Sequence, residues 1–265
     1  MLHADDRRTV VQSDEARRLC RQFSKFFMDK LRRIAVEISQ RLSASRLQPV
    51  PPPVMSAHLP MLQDFEQVTM DEVAKLIWQL PPKSSLMDCL PAFLMKTTVD
   101  VMAPALARLA NLSFLTGVFP PRYKLRHVAP LLKKPGLCST DPANYRPVTN
   151  LATFSKILEK LALNRMRPHV LSSGRLNMYQ LAYRPGHSTE TALLKVVGDI
   201  QRAAGDGKCT VLLAFDISAA FDAVDHSVLG ACVNTDFAIS DTVGRWIRVL
   251  RRRQVEVHCD RCGEV

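Results

Sequence analysis

Val211-Leu212-Leu213-Ala214-Phe215-Asp216-Ile217-Ser218-Ala219-Ala220-Phe221-Asp222-Ala223-Val224-Asp225-His226 opens on an unbroken apolar run and then meets a carboxylate. A run of this kind reads as a strand buried on both faces. No core accepts an unpaired carboxylate, so Asp216 at the strand end calls for a metal, a cation or water. Carboxylates at strand ends suit nucleotide-joining chemistry, where two divalent ions activate the attacking hydroxyl and steady the leaving pyrophosphate. Asp216 is placed as such a ligand, and Phe221 could floor the pocket for an incoming sugar. The alternative makes Asp216 a helix cap and Phe221 a core residue.

The 265 residues are enough for one large domain or two small ones, and a 47% hydrophobic content makes the chain globular. A net charge of +11 points to a polyanionic partner. The charge is clustered: residues 121–170 carry ten basic side chains against two acidic ones, Asp141 and Glu159. A second block contains Arg245, Arg248, Arg251, Arg252 and Arg253. Solvated helix faces would explain such blocks equally well. Aromatics are only 6%, so base-stacking platforms are few.

The seven cysteines are odd in number and scattered, and no signal-peptide-like start precedes them, which predicts reduced thiols in an intracellular protein, nuclear or cytoplasmic. His258-Cys259-Asp260-Arg261-Cys262 holds a single Cys-x-x-Cys without a second pair at zinc-finger spacing. No apolar stretch approaches membrane-spanning length.

From Asp14 to Leu42, apolar residues from Leu19 and Phe23 to Ile38 recur every three or four positions among arginines, which predicts an amphipathic helix whose apolar face needs a partner. Pro49 and Pro51 to Pro53 then read as a linker. Thr69-Met70-Asp71-Glu72 has capping-box spacing and opens a helix stopped by Pro81 and Pro82. Two helices follow over 91–99 and 102–116, with Pro104 in a first turn and Gly117 as C-terminal cap. A short strand over 127–132 leads into the basic turn Lys133-Lys134-Pro135-Gly136. A helix over 154–171 should end or bend at Pro168, another from Ser188 or Thr189 runs to Ala204, and Asp225 caps the next. The pattern is α/β at the centre with a mostly helical N-terminal half.

Three segments, in order, resemble the reverse transcriptases of LINE-type (non-LTR) retrotransposons, especially the chicken-repeat-like lineage. They are Asn144-Tyr145-Arg146-Pro147-Val148 with Ser155-Lys156-Ile157-Leu158-Glu159-Lys160, then Tyr183-Arg184-Pro185-Gly186-His187-Ser188-Thr189-Glu190, then the Asp216 block. The likeness covers about residues 60–250. It implies a partial right-hand polymerase: 1–60 a helix and Pro-rich linker, 61–126 a helical region, 127–265 fingers and truncated palm. The implied substrates are an RNA template, a DNA primer and deoxynucleoside triphosphates.

Carried over residue by residue, Asp216 resembles the first catalytic metal-binding aspartate, and Ile217 supplies a backbone carbonyl to the same Mg²⁺. Phe221 resembles the gate against a ribose 2′-hydroxyl. Arg146 matches the triphosphate arginine, with Lys133 or Lys134 as a second contact. Arg184 and Gly186 match the loop lying close to the template, where glycine allows close backbone approach. Arg146 could instead pair with Asp141 or Glu159, Arg184 could order its own loop, and Asp222 and Asp225 read as turn and capping carboxylates.

The family's later paired-aspartate motif is absent from these 265 residues. One aspartate and one carbonyl hold Mg²⁺ weakly or not at all, so the expectation is a polypeptide inactive alone unless a second protein completes the palm. The alternative is a non-catalytic RNA- or DNA-binding remnant. Ala182 where the family has Gly, and the Arg-rich stretch 250–253, depart from the pattern.

Overall fold

A computed structural model describes residues 13–44, 60–82, 87–88, 90–217, 220, 224–251 and 255–257. The predicted N-terminal helix is α1, Ser13–Ala44. Thr69 caps α2, Met70–Trp78, by accepting from the Glu72 amide at 3.2 Å. The helix ends at Trp78, ahead of the two prolines expected to stop it. Helix α3 spans Ala92–Thr97 and α4 spans Val99–Thr116, so Pro104 lies in the second turn of α4 rather than the first.

Gly117 terminates α4 at φ +65°, where a β-carbon would sit 2.8 Å from Arg245 Nε and 3.0 Å from the Thr242 carbonyl. Both the left-handed backbone and the close approach demand glycine.

Strands β1, Arg126–Leu132, and β2, Tyr145–Leu151, pair antiparallel. Strand β3, Val255–Val257, adds parallel to the start of β1, giving the order β2-β1-β3. Helix α5, Thr153–Ser172, runs through Pro168, which removes one donor near the helix end without stopping it. Its N-terminus is capped from outside: Asp88 accepts from the Thr153 amide at 2.5 Å and from its hydroxyl at 2.6 Å. Helices α6, Thr189–Gly205, α7, His226–Thr235, and α8, Asp241–Arg251, are the remaining described α-helices.

The core lies among α2, α4, α5 and α8. Val73 and Ile77 of α2, Ala110 and Phe114 of α4, Leu158 and Leu161 of α5, and Trp246 of α8 are all buried there. Phe65 stacks on Phe114 at 4.2 Å between centroids, and Trp246 meets Phe119 edge-on at 5.4 Å. Trp246 donates its indole N–H to Ser113 Oγ at 2.9 Å, and Ser113 passes its own proton to the Val118 carbonyl at 2.8 Å. This buried chain leaves no polar atom of the pair unsatisfied.

The decisive sequence expectation is corrected here. Residues 211–217 form no strand and are exposed, Phe215 by 90%. A strand buried on both faces exists only between hydrogen-bonded neighbours, and no described strand pairs with this run. The described chain is thus mainly helical with one small sheet. None of its described helices is long and apolar enough to cross a membrane.

Candidate nucleotide and nucleic-acid site

The connection from β1 to β2 carries the basic turn. Strand register opposes Leu131 to Arg146 and Leu132 to Tyr145, and the Lys133 amide donates to the Asn144 carbonyl at 2.9 Å. The Arg146 guanidinium donates to the Lys133 carbonyl at 3.1 Å, and Lys133 Nζ to the Ala143 carbonyl at 2.7 Å. No carboxylate pairs with Arg146 among the described residues, so neither Asp141 nor Glu159 neutralises it. Asp141 instead caps the one-turn 3-10 helix Pro142–Asn144 by accepting from the Ala143 amide at 2.9 Å. Lys133, Lys134 and Arg146 are exposed. Three cations on a tied hairpin can meet a polyphosphate at little ordering cost.

The turn is pinned from within as well. Tyr145 is buried and donates its hydroxyl to the Ser139 carbonyl at 3.0 Å, and Asn144 donates its amide to the Cys138 carbonyl at 3.0 Å. The Thr140 hydroxyl beside Cys138 Sγ, 3.0 Å away, holds that thiol below its ordinary range.

The other site residues lie elsewhere. Arg184 is half-buried, with one guanidinium nitrogen 3.5 Å from the Met178 carbonyl and a buried Nε that has no partner among the described residues. Gly186 sits at φ +74° with open space where a β-carbon would stand, so its backbone angle, not a close approach within this chain, requires glycine. Asp216 and Ile217 lie on the exposed irregular run. Phe221 and Asp222 lie outside the described residues, as do Cys259 and Cys262.

Asp225 caps α7, as expected, accepting from the Ser227 amide at 2.7 Å and the Val228 amide at 3.2 Å. The Ser227 hydroxyl also donates to it, and these bonds hold its carboxyl below the ordinary range. The contacts thus join Lys133 to Arg146, and none among the described residues joins Arg184 or Asp216 to them.

Two residues that matter here were given no role in the sequence reading. Tyr145 carried a signal, since it precedes Arg146 and strand alternation sends the two to opposite faces. Asp88 carried none, because its partner stands far along the chain. A separate cleft of about 380 Å³ lies near the start of β1, lined by Asp88, Arg122, Tyr123, His127 and Phe154 among others.

Residues 132–260 match the family described as "Reverse transcriptase (RNA-dependent DNA polymerase)". The "RNA-directed DNA polymerase from mobile element jockey" of Drosophila melanogaster is 31% identical over 160 residues, 60% of this chain and 17% of that protein. Its namesake from Drosophila funebris is 28% identical over 204 residues, 75% of this chain and 22% of that one. The "Probable RNA-directed DNA polymerase from transposon BS" of Drosophila melanogaster is 28% identical over 173 residues, covering 64% and 19% respectively. This chain therefore spans about a fifth of the length of these curated relatives.

Proposed function

We infer, from a chain that over residues 132–260 belongs to the reverse-transcriptase family of LINE-type mobile elements, that this polypeptide supplies the triphosphate- and template-facing part of an RNA-directed DNA polymerase. In this reading residues 127–265 are fingers with the first part of the palm, and 61–126 are the helical region ahead of them. The observation that carries it is the hairpin on which Lys133, Lys134 and Arg146 stand exposed, with no carboxylate partner among the described residues. Arg146 takes phosphate oxygens through its planar fork, and the lysines act as point charges. By the family resemblance, Arg184 and Gly186 serve contact with the template, and Phe221, outside the described residues, serves selection of the incoming sugar.

For Mg²⁺ the described residues do not fit. Among the described residues no three His, Cys, Asp or Glu side chains converge, and Asp216 stands exposed on an unpaired segment. Two divalent ions need several carboxylate or phosphate oxygens at near-octahedral spacing. The same observation favours the second reading, in which the polypeptide binds RNA or DNA without chemistry unless a partner completes the palm. The exposed apolar side chains of Val211, Leu212, Leu213, Phe215 and Ile217 support such a partner.

The test is primer extension on an RNA template with a DNA primer and all four deoxynucleotides. The expected result is no product above a protein-free control. Extension that disappears in Asp216→Ala would overturn the non-catalytic half of the proposal and leave the family reading standing.

A further inference from the structure

We propose that Phe23, far outside the family-matched segment, is a positioning residue for the basic hairpin: through Tyr145 it fixes the turn that presents Lys133 and Arg146. The proposal rests on reading that hairpin as a triphosphate site.

Helix α1 is long, yet among its described residues only Phe23 is buried, at 5% exposure. Its ring meets the Tyr145 ring at 4.8 Å and 79°, an edge-to-face contact, with Phe27 6.1 Å away behind it. That is the geometry an aromatic pair prefers. Tyr145, itself 8% exposed, sends its hydroxyl across the turn to the Ser139 carbonyl.

Two of the other ties across the turn are made by the cations themselves, Lys133 Nζ to the Ala143 carbonyl and Arg146 to the Lys133 carbonyl. Those are the donors a triphosphate recruits. Once they turn to phosphate, their ties are loosened at the moment the loop must keep its shape. The Tyr145 hydroxyl and the Phe23 ring under it make no such exchange, so they hold the turn in both states. Strand alternation keeps the roles apart, with Tyr145 facing α1 and Arg146 facing solvent.

The full chain is titrated with deoxyguanosine triphosphate by calorimetry, and amide hydrogen exchange is followed over residues 133–146. Phe23→Ala should weaken triphosphate binding about two- to tenfold, the worth of one aromatic pair. It should also speed exchange at Lys133 and Asn144 while leaving the amides of α4 and α5 unchanged. Phe23→Tyr, which keeps the ring, should restore both. Tyr145→Phe removes only the hydroxyl tie and should weaken binding even if Phe23→Ala fails to fold.

Triphosphate affinity unchanged in the variants that fold overturns the role of Phe23 while leaving the site intact. A wild-type chain that takes no triphosphate overturns the site reading, and the role of Phe23 falls with it.

Discussion

Arg165 shows how much of this fold hangs on single side chains that no local pattern announces. Its guanidinium donates to the carbonyls of Glu66 at 2.6 Å, Gln67 at 2.8 Å and Leu161 at 3.1 Å. It also grips the Glu72 carboxylate at 3.0 and 2.9 Å and lies 5.9 Å over the Phe114 ring. The side chain is only 9% exposed, so removing it strands several acceptors at once. Arg165→Met should cost about 2–4 kcal/mol in urea unfolding, somewhat below a fully buried pair because Glu72 keeps contact with water. The bond from Arg165 is the main reason the Glu72 carboxyl titrates below its ordinary 4.5. A lowered folded value means the unfolded chain binds more protons on acidification. The stabilisation is therefore complete above pH 4.5 and disappears as pH falls through the lowered folded value. The stability gap between wild type and Arg165→Met should shrink below that pH, and a gap constant down to acid would refute the role assigned to this pair. Short-range devices such as the Thr69 and Asp225 caps and the Gly117 terminus were legible because both partners sit within a few residues. Arg165 and Asp88 were not, since Glu66, Gln67 and Glu72 for the one and Thr153 for the other lie 65 to 99 positions away.

Among the elements, β2 and the 211–217 run misled in opposite directions. Tyr-Arg-Pro-Val-Thr-Asn-Leu carries a proline that argues against a strand, and the register sets Pro147 opposite Pro130. The Lys133 to Asn144 bond places hydrogen-bonded pairs at 133/144 and 131/146, so 130/147 is a non-bonded pair where neither proline removes a bond between the two strands. The apolar run 211–217, in contrast, has strand composition but no paired strand beside it among the described residues. Helix α6 is intermediate. Its Ser188–Thr191 capping box was partly legible as a Ser188 or Thr189 cap, yet none of its residues is buried, and Leu193, Leu194 and Val197 face solvent. A helix of this length with no packed face is marginal on its own. Amides of α6 should therefore exchange far faster than those of α4, whose buried face includes Leu106 and Phe114, and Ser188→Ala should accelerate them further at a local cost of about 1 kcal/mol. Equal protection of α6 and α4 would show that α6 has a packing partner in this chain.

At the scale of the molecule, the charge predicted a polyanionic partner, and the motifs predicted which one. The fold adds where the charge can act. Arg165 is tied into the core, and Arg245 reaches Thr242 and crowds Gly117, so part of the formal +11 is committed to structure. Lys133, Lys134 and Arg146 keep exposed side chains on a hairpin tied by hydrogen bonds. A phosphate contact releases condensed counterions, and the dependence of log affinity on log salt steepens by about 0.7 to 0.9 per phosphate neutralised. Binding of an RNA–DNA hybrid should therefore weaken steeply as salt rises. Replacing Lys133, Lys134 and Arg146 together with alanine should reduce the slope by about 2 to 3, whereas Arg245→Ala should leave it nearly unchanged. The slope separates the two explanations of a basic patch: a solvated face that touches no phosphate leaves it unaltered, however much the mutations lower affinity by disturbing the fold. A triple variant with weaker binding but the wild-type slope would place the nucleic acid elsewhere on the molecule, with the exposed Arg248 of α8 as the next residue to remove.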